Sequence, residues 1–349
     1  MIKKYNIQSL IRPNVAKMKP YSSARDEFKD FDSEMIFLDA NENPFETNVN
    51  RYPDPQQRKL KDILSKQKNI PSNQILLGNG SDEVLDLIFR AFCEPSKDNI
   101  ITLPPTYGMY SVLANLNDIE NREVLLDSDF QPALYEISRT ADTHTKLIFI
   151  CSPNNPTGNL IASEKILKLL KTFNGLIVID EAYIDFAKEE SWTTKLNEFP
   201  NLIVTQTLSK AYGLAGIRLG ICYASSEIIS VLNKIKPPYN INELTQQFAI
   251  ERLDNIIKTK SDISLLNEEK SGLLKALVKV NFIEKVYPTD ANFILIKVDN
   301  AEKRYLQLLE HGIVVRNRSS QPLCDNTLRI SIGKASENIK LITILKTLK

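Results

Sequence analysis

Histidine is almost absent from this chain. Its 349 residues include two, His144 and His311, and no HExxH pairing, which argues against a histidine-based metal centre. Cysteine is scarce as well. Cys93, Cys151, Cys222 and Cys324 lie far apart with no CxxC spacing, and three of them sit in apolar runs. Buried free thiols in a reducing cytoplasm are expected, not a disulfide framework. Neither sign of charge is in excess: 44 Lys and Arg oppose 43 Asp and Glu, for a formal net charge of +1. That balance gives neither nucleic acid nor an anionic membrane an electrostatic footprint. The charge of a substrate must then be met by individual side chains. Long apolar runs are missing too; none approaches the roughly 20 residues of a membrane span. Lys3 and Lys4 are followed by no apolar segment, so a signal peptide is not expected.

What the chain has is a long alternation of short apolar runs with helical patterns, from about residue 75 to residue 224. The expected strands are Ile75–Leu77, Ile100–Leu103, Glu123–Leu126, Leu147–Ile150, Leu176–Ile179, Leu202–Thr205 and Leu219–Tyr223. Several are nearly continuous Ile, Val and Leu. That suits an α/β fold whose sheet is covered on both faces and largely parallel. After Pro237-Pro238 the pattern changes. A helical stretch runs roughly from Glu243 to Val278. Strand-like Asn292–Val298, a helix near Glu302–Glu310, and strand-like Gly312–Arg316 and Thr327–Ile332 follow. These predict a second, smaller α/β unit. The irregular first 45 residues are expected to pack on it.

In open parallel sheets, ligands bind beyond the carboxyl ends of the strands. Five expected strand ends carry small, polar or charged groups: Gly78-Asn79-Gly80-Ser81-Asp82, Pro104-Pro105-Thr106-Tyr107, Ser152 to Gly158, Asp180-Glu181-Ala182-Tyr183 and Gln206-Thr207-Leu208-Ser209-Lys210. Any one could be a turn; all five together exceed turn chemistry. Gly78-Asn79-Gly80 is no dinucleotide fingerprint, because Glu83 takes the third glycine position. It is a glycine-rich turn feeding a helix from Ser81 to about Phe92, whose free N–H groups favour an anion. The plain alternative is a helix start capped by Ser81 or Asp82.

Lys210 closes an apolar strand, and a lysine amine can condense with a carbonyl. Asp180 closes another, where a carboxylate needs a partner. Pyridoxal 5′-phosphate (PLP) chemistry requires that pair: a lysine for the aldehyde and a carboxylate for the ring nitrogen, which keeps the ring an electron sink. Arg218, eight residues after Lys210, suits a phosphate dianion. Each has a bland alternative: a surface lysine, a helix cap, a solvated arginine.

The run from Thr207 through Ser209-Lys210 and Arg218 to Gly220 resembles the lysine motif of the fold-type I, class II aminotransferases. Ser152-Pro153-Asn154-Asn155-Pro156-Thr157-Gly158 and Asp180-Glu181-Ala182-Tyr183 resemble that family's other signatures. More narrowly, the chain is similar to the histidinol-phosphate aminotransferase family. That likeness rests on Pro20 to Arg25, Leu38 to Pro44, Arg51-Tyr52-Pro53-Asp54, Arg90 to Cys93, Pro105 to Tyr110 and Leu328-Arg329-Ile330-Ser331. Gln206 departs from the pattern, where many relatives carry an arginine.

The resemblance implies a large PLP domain over about 46–245, with a mostly parallel seven-stranded sheet, and a small domain built from 1–45 and 246–349. It implies that Lys210 binds the cofactor and shuttles the proton, that Asp180 meets the ring nitrogen, and that Asn155 and Tyr183 meet the phenolic oxygen. Tyr107 would lie over the ring. Gly80, Ser81, Asp82, Thr207, Ser209 and Arg218 would hold the phosphate, and Tyr52 would reach it from the other subunit of a homodimer. Arg329, Arg316 and Tyr21 would bind the substrates, histidinol phosphate and glutamate or 2-oxoglutarate. The implied reaction converts L-histidinol phosphate and 2-oxoglutarate to imidazole-acetol phosphate and L-glutamate, in histidine biosynthesis. The rivals are a threonine-phosphate decarboxylase and an aromatic amino-acid aminotransferase. A PLP-sensing transcription regulator would need a DNA-binding domain and a basic charge, and neither is expected here.

Overall fold

The computed structural model describes residues 5–21, 25 and 35–348. Seven strands make the main sheet: β1 (Ile75–Asn79), β2 (Asn99–Thr102), β3 (Glu120–Glu123), β4 (Thr145–Cys151), β5 (Leu176–Asp180), β6 (Leu202–Thr207) and β7 (Leu219–Ala224). Their spatial order is β1-β7-β6-β5-β4-β2-β3. β7 runs antiparallel to both neighbours, and every other pair in the sheet is parallel. Among the described residues seven α-helices accompany this part of the chain: α1 (Pro13–Lys17), α2 (Arg58–Lys68), α3 (Ser81–Phe92), α4 (Met109–Leu116), α5 (Leu134–Thr140), α6 (Ser163–Thr172) and α7 (Ser226–Ile235).

The apolar runs of β4, β5 and β6 serve two cores at once. Successive strand side chains point to opposite faces. Ile148, Ile150, Ile177, Ile179, Leu202 and Val204 pack on one side, with Leu60 and Leu64 of α2 and Leu169 of α6. Leu147, Phe149, Leu176, Val178 and Ile203 pack on the other, with α3, α4 and α7. Each such side chain, fully buried, is worth roughly 1.5–3 kcal/mol. With both faces covered, no polar alternation survives in these strands.

A second sheet has β8 (Ile283–Val286), β9 (Phe293–Val298), β10 (Arg316–Asn317) and β11 (Thr327–Ser331), all antiparallel, in the order β10-β11-β9-β8. Before and around it run α8 (Glu243–Asp254), α9 (Ile256–Leu277), α10 (Ala301–Glu310) and α11 (Ala335–Thr347). Leu273 and Leu277 of α9, Ile294 and Ile296 of β9, and Leu341 and Leu345 of α11 share its core. Among the described residues, no helix is long and apolar enough to cross a membrane. All four cysteines are free and buried.

The structure departs from the sequence reading in places. β3 is the polar segment Glu120–Glu123, not the apolar run after it; Val124 and Leu126 are buried beyond its end. Their N–H groups still bond to Thr102 and Pro104 carbonyls, so the chain stays alongside β2 while leaving the strand. The helical stretch from Glu243 breaks at Asn255, whose side chain caps α9 by accepting from Lys258 N–H. The strand expected over Gly312–Arg316 is the two-residue β10. The first residues do not all join the second unit. Ile7, Ile11 and Val15 are buried in the core shared by α3 and α7, and Arg12 N–H bonds to Ala91 of α3. Ile7 lies in a 3-10 turn, Ile11 in the extended link after it and Val15 in α1, and all three side chains reach that core. Ser22, Ser23 and Ala24 of the motif quoted above lie outside the described residues.

Candidate active site

The parallel strands end level with one another. Cys151 of β4 is the register partner of Asp180 of β5, and Asp180 of Thr205 in β6. Beyond these ends lies a cavity of about 80 Å³. Ser81, Asp82, Tyr107, Asn155, Asp180, Tyr183, Thr207, Ser209, Lys210 and Arg218 all line it. Five strand-end segments and the start of β7 therefore meet at one point, as the sheet topology requires.

Asp180 is 3% exposed. One carboxylate oxygen accepts from Tyr110 Oη at 2.8 Å and the other from Ala182 N–H at 3.1 Å. Both donors are neutral. Burial raises the carboxyl pKa, and the two hydrogen bonds oppose that. Lys210 stands exposed at the cavity, with its Nζ 5.7 Å from the Tyr183 ring centroid. Its Nζ makes no hydrogen bond or ion pair among the described residues. Partial desolvation of the amine pushes its pKa down; Arg329 and Arg218 add to this, and Asp180 and Asp82 oppose it. A lysine so shifted is nearer the neutral amine that attacks a carbonyl.

At the other end, Gly80 precedes α3 with a φ of +79°. A Cβ there would meet Arg218 Nη2 at 2.6 Å, so only glycine lets the guanidinium lie against the turn. Gly80 N–H bonds to the Arg218 carbonyl at 2.8 Å. Neither Ser81 nor Asp82 caps α3, since Gly80 takes the cap position without a side chain. The Thr207 and Ser209 hydroxyls are 3.0 Å apart, and Arg218 Nη2 is 3.6 Å from Asp82. Tyr107 Oη donates to Asp82 at 3.0 Å. Asn155 Nδ2 donates to Tyr183 Oη at 3.4 Å.

These residues fit the cofactor that the resemblance implies. A buried carboxylate to which no described residue brings a bonded cation suits a protonated ring nitrogen. A helix N-terminus, two hydroxyls and an arginine suit a phosphate. The lysine lies between the two ends.

Arg329 reaches the same place from β11, with its Nη1 2.5 Å from Asn155 Oδ1 and its guanidinium 5.2 Å from the Phe293 ring centroid. Burial lowers its pKa, and Arg316 lowers it further. Arg316 is exposed on β10, opposite Arg329. Arg316 does not line the Lys210 cavity, and Tyr21 and Tyr52 are not brought in either. Tyr21 is 73% exposed and lines a separate groove beside Arg58 and Lys61. Tyr52 is 51% exposed and stacks on Tyr239 at 4.5 Å between ring centroids. Neither lines the Lys210 cavity.

Three residues escaped the sequence reading. Tyr110 is wholly buried, bonds to Asp180, stacks on Phe149 and meets Tyr107 edge-on. Cys151 lines the cavity beside Asp180. Arg318 has a buried Nε with no partner, and its pKa is lowered by burial, then by Arg329 and Arg316. The spacing Arg316-Asn317-Arg318 was the available signal, because alternate residues of an extended chain share a face. Gln206 has a settled partner: it donates to Glu181 at 2.8 Å.

The sequence profile of the family described as aminotransferase class I and II matches residues 28–345. The chain is 66% identical over 345 residues to the histidinol-phosphate aminotransferase of Flavobacterium johnsoniae, covering 99% of each chain. It is 61% identical over 344 residues to that of Flavobacterium psychrophilum, again over 99% of each. Among solved structures it is similar to the histidinol-phosphate aminotransferase from Clostridium acetobutylicum. That likeness has 27% identity and a TM-score of 0.79, and covers 86% of this chain and 90% of that one.

Proposed function

We propose, from the premise that the chain belongs to the class I and II aminotransferase family, that it moves the amino group of L-histidinol phosphate to 2-oxoglutarate. The products are imidazole-acetol phosphate and L-glutamate, a step of histidine biosynthesis. PLP is the cofactor. When bound, it supplies an aldehyde that condenses with amines and a ring that accepts the electron pair released at the substrate α-carbon.

The chain's own groups divide the remaining work. Lys210 holds the cofactor and moves the proton at the substrate α-carbon, as a positioned amine with a lowered pKa can. Asp180 keeps a proton on the ring nitrogen. Asn155 and Tyr183 orient the phenolic oxygen, and Tyr107 is assigned to the ring face. Gly80, Ser81, Asp82, Thr207, Ser209 and Arg218 hold the phosphate. Tyr52 belongs to the neighbouring site of a homodimer and Tyr21 to the substrate. The large domain spans 46–245 in this reading, and residues 5–17 pack on it.

The observation that carries the substrate assignment is the arginine group. Arg316 and Arg329 act on Arg318 and Arg316 acts on Arg329, and none of the three forms an ion pair with a described carboxylate. Uncompensated guanidinium groups beside a reactive lysine await an anion. Histidinol phosphate brings a phosphate dianion, and glutamate brings two carboxylates. The deciding experiment is a pair of half-reactions on PLP-loaded protein. Histidinol phosphate should convert the bound cofactor to its amine form, and 2-oxoglutarate should restore it. Histidinol, without the phosphate, should react far more slowly. Equal rates for the two donors would remove phosphate recognition. Release of CO2 from threonine phosphate would point to the decarboxylase.

A further inference from the structure

A groove of about 750 Å³ runs between α2 and α7, away from Lys210. It reaches Ile75, the first residue of β1. The Lys210 cavity lies past Asn79, at the other end of that strand, about 13 Å farther along. The groove, which Tyr21 also lines, is therefore separate from this chain's own Lys210 cavity.

Lys61 lines this groove although it is 6% exposed. Its ammonium makes no hydrogen bond or ion pair with any described residue. Lysine is almost never buried without a partner, because desolvation penalises the charge. Its neighbours worsen the position. Burial, then Lys236, pushes the Lys61 pKa down to about 8, and Arg58 pushes the same way. Asp54 opposes them but is already engaged: it accepts from Arg58 Nη1 and Arg58 N–H, each at 2.7 Å, and from Gln56 N–H at 2.9 Å. Asp62, also on the groove, is exposed and forms no ion pair.

The facing wall is rich in donors. Ser226, Ser230, Asn233 and Lys234 of α7 line it at spacings of three and four, on one face of the helix. Asn233 has its Oδ1 buried with no partner, and its Nδ2 donates to no described residue, so its N–H₂ is uncommitted at the groove. Excess positive charge, hydroxyls and a free amide match a tetrahedral oxyanion, which accepts several hydrogen bonds at once.

We propose that this groove binds a small phosphate-bearing anion, with Lys61 as its buried counter-charge and Ser230 and Asn233 as further donors. The site does not depend on the transamination reading, because it lies at the far end of the sheet.

The test is calorimetric titration of PLP-loaded protein with inorganic phosphate at constant ionic strength. Wild type, Lys61→Met and Lys61→Arg are compared. Phosphate bound at the catalytic site appears in all three, so the difference isolates the groove. Wild type should bind one more phosphate per chain than Lys61→Met, or bind it at least about tenfold more tightly, while Lys61→Arg retains binding. Transamination by Lys61→Met should be unchanged. Glycerol phosphate serves as a second arm: tighter binding than phosphate assigns an ester, and equal binding assigns the free ion. Identical isotherms for wild type and Lys61→Met would overturn the proposal. A measurement on wild type alone guards against a variant that misfolds. Phosphate should slow modification of Lys61 by an amine reagent, read by peptide mass spectrometry, and leave exposed Lys59 unaffected. No protection would overturn the site as well.

Discussion

Arg316 and Arg329 stand directly opposite each other across the antiparallel β10–β11 pair, so two guanidinium groups share one face of a two-residue ladder. Like charges placed this way destabilise a sheet. An anion between them reverses the sign of that contribution. Arg316→Gln and Arg318→Gln should each raise KM for histidinol phosphate more than for glutamate. One lost charge-assisted hydrogen bond, about 1.5–3 kcal/mol, corresponds to roughly 10- to 150-fold. Steady-state kinetics with both donors check this. A uniform loss for the two substrates would remove these residues from phosphate recognition.

Lys210→Ala should still bind PLP but hold it without a covalent bond. After borohydride treatment and denaturation, wild type should retain the cofactor and the variant should release it. Transamination should fall by several orders of magnitude, because one residue supplies both the link and the proton transfer. An undiminished rate in the purified variant would sink the whole assignment.

Tyr110→Phe tests the carboxylate through its neighbour. The change removes the 2.8 Å hydrogen bond to Asp180 and keeps the ring that stacks on Phe149. PLP affinity should drop, by less than in Asp180→Ala, and the pH profile of turnover should move. Phe at this position should leave the melting temperature of the PLP-free protein nearly unchanged. If PLP affinity and pH profile are both those of wild type, the bond does not set the state of Asp180.

Glu181 makes stability depend on pH. Its buried carboxylate accepts from Trp192 N–H at 2.7 Å, Gln206 at 2.8 Å and Ser191, all neutral donors. Burial raises its pKa from 4.5 to about 7, and the hydrogen bonds only partly offset this. The folded state thus binds this proton more tightly than the unfolded chain does. The contribution is full below pH 4.5 and is lost as pH rises through about 7. Its size is roughly 3 kcal/mol. Denaturant unfolding from pH 5 to pH 8 should show wild type losing stability relative to Glu181→Gln. Parallel pH dependences would mean that Glu181 stays ionised throughout.

Tyr52 stacks on Tyr239 and stays out of its own Lys210 cavity, which leaves it available to a neighbour. Lys210→Ala and Tyr52→Ala chains, each nearly inactive alone, should complement when their subunits exchange. A mixed dimer has one whole site, and half the dimers are mixed, so activity should recover to about a quarter of wild type. With exchange confirmed by a mass tag, no recovery would place Tyr52 in its own subunit's chemistry or in packing.

The chain by itself determined the sheet and the contents of the cavity. Runs such as Leu176–Asp180 suit a strand covered on both faces, and five of the main sheet's strand ends carry functional groups next to them in sequence. Ser81, Asn155, Asp180 and Lys210 could therefore be placed together before any coordinates, because the topology of a parallel sheet brings its carboxyl ends to one edge. Local sequence could not fix what depends on contacts between distant segments. It missed Tyr110 as the donor to Asp180, since that bond joins residues 70 apart. It missed the packing of Ile7, Ile11 and Val15 on the large unit, because an apolar face does not say which core will receive it. It also gave no reason to single out Lys61. Only the groove that α2 and α7 both line, and the prior claim of Arg58 on Asp54, leave that side chain buried with no partner among the described residues. Burial and the competition for partners are properties of the assembled chain, and they decide which charged groups are left to bind something else.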